Sequence, residues 1–250
     1  MKVMDHSKEA CEKGRVRIYI ASHKLVPFPQ NPAYQPIIIG PLSHVVPPTV
    51  VTDATGENIS IKNPSYCELT ALYWAWKNDT LKDYIGLVHY RRYFRTMHPQ
   101  EPLTLDSVLQ EEEILDILKD HDIIVPEPFK SLHHTMGEFY RLNHCPEDLE
   151  AARRIIGQCH PDYLEAFDAI MERQGIYGCN MFITRREVFC DYMQWLFDIL
   201  FRVEKEVGGF MHREPYQRRA PGFLAERLMN VYILRHHFRT KVIPFLLTDL

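Results

Sequence analysis

The hydrophobic positions of this chain alternate between two periods, and the changes of period mark its elements. Arg17 to Ala21 (RIYIA) is a short β-rich run. After Ser22-His23-Lys24 it opens into a stretch carrying Pro27, Pro29, Pro32 and Pro36, where neither a helix nor a central strand can persist. Pro36 to Gly40 (PIIIG) predicts a second strand, residues 52–58 a turn, and Asn63-Pro64-Ser65 a helix start. From Ser65 to Asn78 the residues Leu69, Leu72, Tyr73 and Trp76 recur at helical spacing, which predicts a core-facing helix. Tyr84 to Val88 is an uninterrupted apolar run of the kind buried on both faces, and it ends abruptly in His89-Tyr90-Arg91-Arg92. Residues 104–119 predict a helix, and Asp122 to Pro126 another buried strand.

The second half is more helical. Pro146 to Gln174 carries helical packing positions at Leu149, Ala152, Ile156, Tyr163, Phe167 and Ile170, and Gly178 to Thr184 predicts a strand. Glu187 to Val207 is the strongest amphipathic helix, with Val188, Tyr192, Trp195, Leu196, Ile199 and Val203 on one stripe. An Arg- and Pro-rich loop at 213–221 leads to a helix over 223–236 and a closing strand or tail at 241–247. Strands alternating with helices predict the α/β class. The expected organisation is one domain over 16–250, with a mostly parallel central sheet and a helical C-terminal portion, preceded by a flexible extension over 1–15.

Composition narrows the function. The chain has 250 residues, 46% hydrophobic and 25% charged, enough for a sizeable core. Its 29 basic and 33 acidic side chains leave a net charge of −4, which gives no electrostatic basis for nucleic-acid binding, so any anion site must be local. The N-terminal segment is polar and no run of about 18 apolar residues occurs, from which a cytoplasmic protein is expected. Six cysteines at 11, 67, 145, 159, 179 and 190 show neither CxxC nor paired spacing, so they predict packed thiols rather than zinc ligands or disulfides.

In open α/β sheets ligands bind beyond the carboxyl ends of the strands, where loops and helix N-termini converge. Ser22-His23-Lys24, His89-Tyr90-Arg91-Arg92 and Glu127 all follow predicted strands. Two arginines at one strand end can chelate a diphosphate through forked, charge-assisted hydrogen bonds; the alternative is that they face solvent or pair with a carboxylate such as Glu68. Asp120-His121-Asp122 is the one Asp-x-Asp pair that could hold a divalent cation, but it lies at the start of a strand, the wrong end for this site. No metal ligands are therefore assigned. Arginines are the alternative neutraliser of a leaving diphosphate. Glu68 and Glu226 stand on otherwise apolar or aromatic helices, where an acid costs desolvation unless it is paired. Glu226 is either a candidate general base or a salt-bridge partner of Arg219, Arg227 or Arg235. Among thirteen histidines none has ligand spacing, and His144 alone is kept as an acceptor-site candidate. GxxxxGK[ST], GxGxxG and GxSxG are all missing, and with them the local signatures of a P-loop, a dinucleotide fold and an α/β-hydrolase.

Three blocks are long and unusual: DATGENIS (53–60) with Lys62-Asn63, YCELTALYWAWKN (66–78) and YIGLVHYRRYF (84–94). With Asn180 to Ile183, Tyr192 to Leu200 and Pro221 to Tyr232, in matching order and spacing over 17–245, they resemble a bacterial family of exopolysaccharide and capsule biosynthesis proteins. That family carries an uncharacterised domain and is regarded as GT-A-like, a Rossmann-like glycosyltransferase fold. The resemblance implies a nucleotide-diphosphate-sugar donor, with UDP as the expected nucleotide, bound across the N-terminal half. It also implies a glycan or lipid-linked acceptor held by the C-terminal half, and hexose transfer, galactofuranose being the sugar moved by some relatives. Its matching donor-side positions are Ala21, Ser22, His23, Lys24, Asp53, Asn58, Ser60, Lys62, Asn63, Glu68 and Thr70, with His89 to Arg92 beside them. On the acceptor side they are His144, Asn180, Arg219, Gly222 and Glu226. The chain departs from better-known GT-A enzymes in lacking a well-placed Asp-x-Asp.

The expected chemistry gives leaving-group neutralisation to Arg91 and Arg92, assisted by His89 or Lys24, and the base role to Glu226, with Glu68 orienting the arginines. Contact with the inner face of a membrane is expected through Arg213, Arg218 and Arg219. The competing class is a nucleotide-sugar-binding or scaffold protein of a polysaccharide assembly complex that binds without turnover.

Overall fold

A computed structural model describes residues 14–248. The expected extension over 1–15 therefore lies almost wholly outside the described residues. Its last two are tied down: the Gly14 carbonyl accepts from Lys82 Nζ at 2.8 Å, and the Arg15 N–H donates to Glu111 at 2.7 Å.

The strands, in chain order, are β1 (Val16–Ser22), β2 (Tyr34–Ile38), β3 (Tyr84–His89), β4 (Arg92–Phe94), β5 (Ile123–Pro126), β6 (Pro128–Lys130), β7 (Gly175–Tyr177), β8 (Phe182–Arg185), β9 (Thr240–Ile243) and β10 (Phe245–Leu247). The helices are α1 (Asn63–Tyr66), α2 (Leu69–Asn78), α3 (Glu111–Asp120), α4 (Met136–Asn143), α5 (Pro146–Cys159), α6 (Leu164–Met171), α7 (Arg186–Glu206) and α8 (Ala220–Arg235). Side by side the central strands run β2-β1-β3-β8-β5-β9. β1 is parallel to β2 and β3, and β5 to β9, while β8 lies antiparallel between β3 and β5, so all the others share one direction. This is the expected α/β fold with a mostly parallel central sheet. β4 folds back from β3 at the pair His89–Arg92 and carries β10, while β6 and β7 form a separate two-stranded ribbon.

Alternation along the strands builds a core on each face of the sheet. Tyr19, Ala21, Ile85, Leu87, Val125 and Phe182 pack against α2, α5, α6, α7 and α8. Ile18, Ile20, Val88, Ile124 and Ile183 face the thinner layer that holds Ile114 and Leu118 of α3. β3 and β8 approach each other closely at Gly86. A Cβ there would lie 2.7 Å from Ile183 Cγ1 and 2.8 Å from the Phe182 carbonyl oxygen.

Four expected elements are cut shorter, each at an identifiable residue. The helix over 65–78 breaks at Cys67, whose φ of 47° and ψ of −125° no helix tolerates. The helix over 146–174 ends at Cys159, because Pro161 cannot continue it and His160, at φ −137° and ψ 53°, has left the helical region. Residues 104–119 divide into a single 3-10 turn, Leu105–Ser107, and α3, where the Glu113 carboxylate accepts from the Gln110 N–H at 2.8 Å and closes the first turn. The strand expected over 178–184 starts only at Phe182, because Cys179 and Asn180 have φ of 63° and 51°.

Candidate active site

The pairing of Ala21 with His89 brings the ends of β1 and β3 to one edge of the sheet, and antiparallel β8 begins at that same edge. There the left-handed pair Cys179-Asn180 turns the chain into β8, a conformation that Asn adopts more readily than most residues. The backbone of Cys179 is used in both directions. Its carbonyl accepts from His89 Nε2 at 2.6 Å, and its N–H donates to Glu226 Oε1 at 2.8 Å. Buried Asn180 donates through Nδ2 to Glu68 Oε1 at 2.8 Å and to the Gly222 carbonyl at 3.2 Å, while its Oδ1 is buried with no hydrogen-bond partner. One turn thus joins β3, the start of α2, the first turn of α8 and the carboxylate of Glu226.

Glu226 is clamped at one oxygen only. Its Oε2 has a long contact of 3.4 Å to Arg227 Nη1, and 28% of the side chain remains exposed. Burial raises its pKa above the ordinary carboxylate value against the opposing pull of Arg227 and the Cys179 N–H. Arg227 is held from its other side: it donates to the Phe223 carbonyl at 2.9 Å and lies over the Tyr140 ring at 5.0 Å, and burial lowers its pKa. Of the three arginines weighed as partners, Arg227 alone contacts Glu226. Arg235 lies 3.8 Å from Asp162, and Arg219 covers the Phe223 ring at 5.6 Å.

A cationic rim surrounds Tyr90. The Lys24 ammonium lies 5.8 Å and the Arg91 guanidinium 5.3 Å from its ring centre, and the His23 ring meets it edge-on at 5.0 Å. Burial together with Lys24 and Arg91 lowers the pKa of His23. Arg92 belongs to the other side of the hairpin, close enough to Cys179 to act on its thiol. Both guanidinium groups are exposed, and neither forms an ion pair with a described residue. Glu68, expected to orient them, is bonded to Asn180 instead, because the break at Cys67 places it beside α8.

The remaining donor-side candidates are engaged with protein partners. Ser22 Oγ donates to the Lys24 carbonyl at 2.6 Å and accepts from its N–H at 3.1 Å, and Ala21 is buried. Thr70 Oγ1 donates to Asp53 at 2.5 Å and accepts from Asn63 Nδ2 at 3.1 Å; Asp53 and Thr70 are both sealed from solvent, and burial raises the pKa of Asp53. Asn58 Oδ1 accepts from both the N–H and the hydroxyl of Ser60, at 3.1 and 2.8 Å. Lys62 is held 2.8 Å from each oxygen of Glu204, which also accepts from Tyr66, so it ties α1 to α7.

On the acceptor side Gly222 belongs to the cluster through its carbonyl, whereas His144 lies in an aromatic stack. Its ring is 3.9 Å from Phe223 at an interplanar angle of 22°, and 4.8 Å from Tyr140. Burial, with Arg227 nearby, pushes its pKa down to about 4, so it is neutral at pH 7. The loop expected to meet a membrane is largely engaged within the protein. Arg213 makes a two-pronged pair with fully buried Asp148 at 2.6 and 2.8 Å, and Arg218 donates to the Arg213 carbonyl at 2.7 Å. Asp122 lies at the start of β5, accepts from the Arg239 N–H at 2.8 Å and pairs with Arg185 at 3.7 Å. Among the described residues no group of three or more His, Cys, Asp or Glu is placed to hold a metal, and no helix is long and apolar enough to cross a membrane.

Two contributors, Cys179 and Asn230, were not picked out by sequence reasoning, and Arg227 was weighed there only as a salt-bridge partner of Glu226. Cys179 acts through its backbone, for which its side-chain type gives no signal. Arg227 and Asn230 stood in the sequence as polar residues on an apolar helix, the same signal that singled out Glu226. Asn230 accepts from the Tyr177 N–H at 2.9 Å and donates to the Tyr177 and Glu226 carbonyls at 2.8 and 2.7 Å, fastening the β6–β7 ribbon to α8.

No curated protein matches the chain. Among solved structures, the apo structure of the bifunctional glycosyltransferase WbbM superposes with a TM-score of 0.84 at 29% identity, covering 95% of this chain and 46% of that one. The chain thus spans less than half the length of that protein. The mannosyltransferase Ktr4p from S. cerevisiae overlaps 94% of this chain and 71% of its own at 11% identity and a TM-score of 0.38, a likeness too slight to support an argument. The family described as a domain of unknown function, DUF4422, matches residues 17–237, and the chain belongs to that family.

Proposed function

We propose that the chain is a glycosyltransferase that moves a hexose from a nucleoside diphosphate sugar to a hydroxyl of a glycan or lipid-linked acceptor in bacterial surface-polysaccharide synthesis. UDP is the proposed nucleotide and galactofuranose the first sugar to test. In this reading the acceptor oxygen attacks the anomeric carbon while its proton passes to Glu226, and the bond from that carbon to the diphosphate breaks with both electrons leaving on the nucleotide. Arg91 and Arg92, with Lys24 beside them, neutralise the departing charge, which a rim of cations without carboxylate partners at a strand exit suits. His89 holds the Cys179 turn that presents the N–H to Glu226, and Glu68 with Asn180 fixes the start of α8; both act as positioning residues.

The observation that carries this reading is the state of Glu226. It is a partly exposed carboxylate whose basicity is raised by burial, fixed at one oxygen and loosely met at the other, on the edge where the unpaired arginines stand. The likeness to WbbM, a glycosyltransferase, supports the same class. Glu226→Gln keeps the shape and the hydrogen bond from Cys179 but cannot take a proton. The variant is expected to lose about 10²–10⁴ in transfer rate with UDP binding unchanged. Full activity in a UDP-sugar transfer assay would remove Glu226 from the base role.

A further inference from the structure

Along the β6–β7 ribbon, with Tyr177 and Asn230 in its wall, lies an open cleft of about 430 Å³. Two cations line it, Lys130 of β6 and Arg173 just before β7, with no carboxylate among the lining residues. Both side chains are exposed, and neither bonds a side chain or carbonyl among the described residues. In a chain of net charge −4, two cations converging on a cleft without an acid make a local anion site rather than a general background. Ser131 and Gln174 add polar groups, and Leu132 and Ile176 an apolar wall. Gly175 lets β6 and β7 pair closely beside Lys130: a Cβ there would meet the Phe129 carbonyl oxygen at 3.0 Å and Lys130 Cγ at 3.3 Å.

The cleft is coupled to the reaction edge by a short rigid path. Tyr177 lines it, and Cys179, two residues on, donates to Glu226; that path spans at most about 7 Å of extended chain. Asn230, which also lines the cleft, bonds both backbone groups of Tyr177 and the carbonyl of Glu226. We propose that this cleft is an acceptor subsite, in which Lys130 and Arg173 hold an anionic group, phosphate or carboxylate, carried by the sugar acceptor whose hydroxyl reaches Glu226. The proposal rests on Glu226 as the base, and it names the acceptor class: an acidic glycan or a glycosyl phosphate rather than a neutral sugar. Forked donation from Arg173 and the point charge of Lys130 suit either anion.

The test reads binding, not turnover. With UDP saturating the donor edge, inorganic pyrophosphate, methyl glucuronide and neutral methyl glucoside are titrated into the full chain while the backbone amide signals of Ser131 and Gly175 are followed by NMR. One or both anions are expected to move those signals while the glucoside does not. Pyrophosphate alone identifies a phosphate-linked acceptor, glucuronide alone a uronate. Lys130→Ala with Arg173→Ala should weaken anion binding by about tenfold or more. The pair Lys130→Gln with Arg173→Gln, which keeps the bulk, should do the same, whereas Glu226→Gln should bind as the parent does. Silent amides with both anions, or undiminished affinity in both folded double variants, would overturn the subsite. Because Glu226→Gln retains the anion signal, loss of transfer and loss of the subsite are separately visible.

Discussion

Glu226 and the two arginines divide the proposed chemistry into a proton and a charge, and each leaves its own signature. A base works only when ionised, and burial sets the pKa of Glu226 above the ordinary 4.5. The rate should therefore fall as pH drops through a value above that of a free glutamate, and be full on the alkaline side of it. Arg227 holds that pKa down, so Arg227→Met should move the acid limb of the kcat/KM profile to higher pH; a limb that stays where it was would assign it to another group. For the arginines the readout is affinity. Arg91→Ala and Arg92→Ala should each weaken UDP binding by about tenfold, the worth of one charge-assisted contact, and flatten its salt dependence. Because neither guanidinium is spent on a protein carboxylate, the loss should come without a fall in Tm, and calorimetry beside the titration distinguishes the two. Unchanged UDP affinity in both variants would take the diphosphate away from this hairpin.

At the scale of elements the site depends on how β8 enters the sheet. Gly86 of β3 lies against Ile183 so closely that Gly86→Ala must push the two strands apart, at a cost of about 1–3 kcal/mol read by chemical denaturation. An alanine accepted without loss would mean that the strands are held more loosely than 2.7 Å implies. The entry into β8 also shows what periodicity can and cannot reveal. The apolar run of β3 and its polar exit were legible because a strand buried on both faces leaves an unbroken hydrophobic signature. The place where β8 begins was not, because Cys179 and Asn180 leave the sheet through backbone angles, and a helix-and-strand reading of GCNMFIT has no term for a left-handed pair. The break at Cys67 was hidden for the same reason: Tyr66 to Asn78 keeps a helical spacing on both sides of it. The ribbon went unseen because its strands are three residues each, too short to carry a period. Lys62 shows what a polar block cannot reveal, its pairing with a distant carboxylate. Glu204 holds it from far along the chain, and no local pattern around Lys62 signals that partner.

In the whole molecule, α8 is the member that joins the reaction edge to the helical layer. At its start, Phe223 stacks on His144 from the end of α4, and the Arg213–Asp148 pair anchors the preceding loop to α5. The stack makes the fold sensitive to acid in a way that can be assigned. His144 has an ordinary pKa of 6.5 and is pushed down to about 4 in the folded chain, so the unfolded chain takes up the proton first as pH falls. The stabilisation is therefore complete above pH 6.5 and drains away between 6.5 and about 4. At pH 5 the loss from this one group is on the order of 1–2 kcal/mol, a Tm lowering of a few degrees for a chain of this length. His144→Phe keeps a ring against Phe223 and removes the titration. Its Tm should fall less between pH 7 and pH 5 than that of the parent chain, while Tm at pH 7 stays close. Equal acid losses in the parent and in His144→Phe would show that the ring takes its proton within the fold, and that the start of α8 is open to water rather than sealed by aromatic packing.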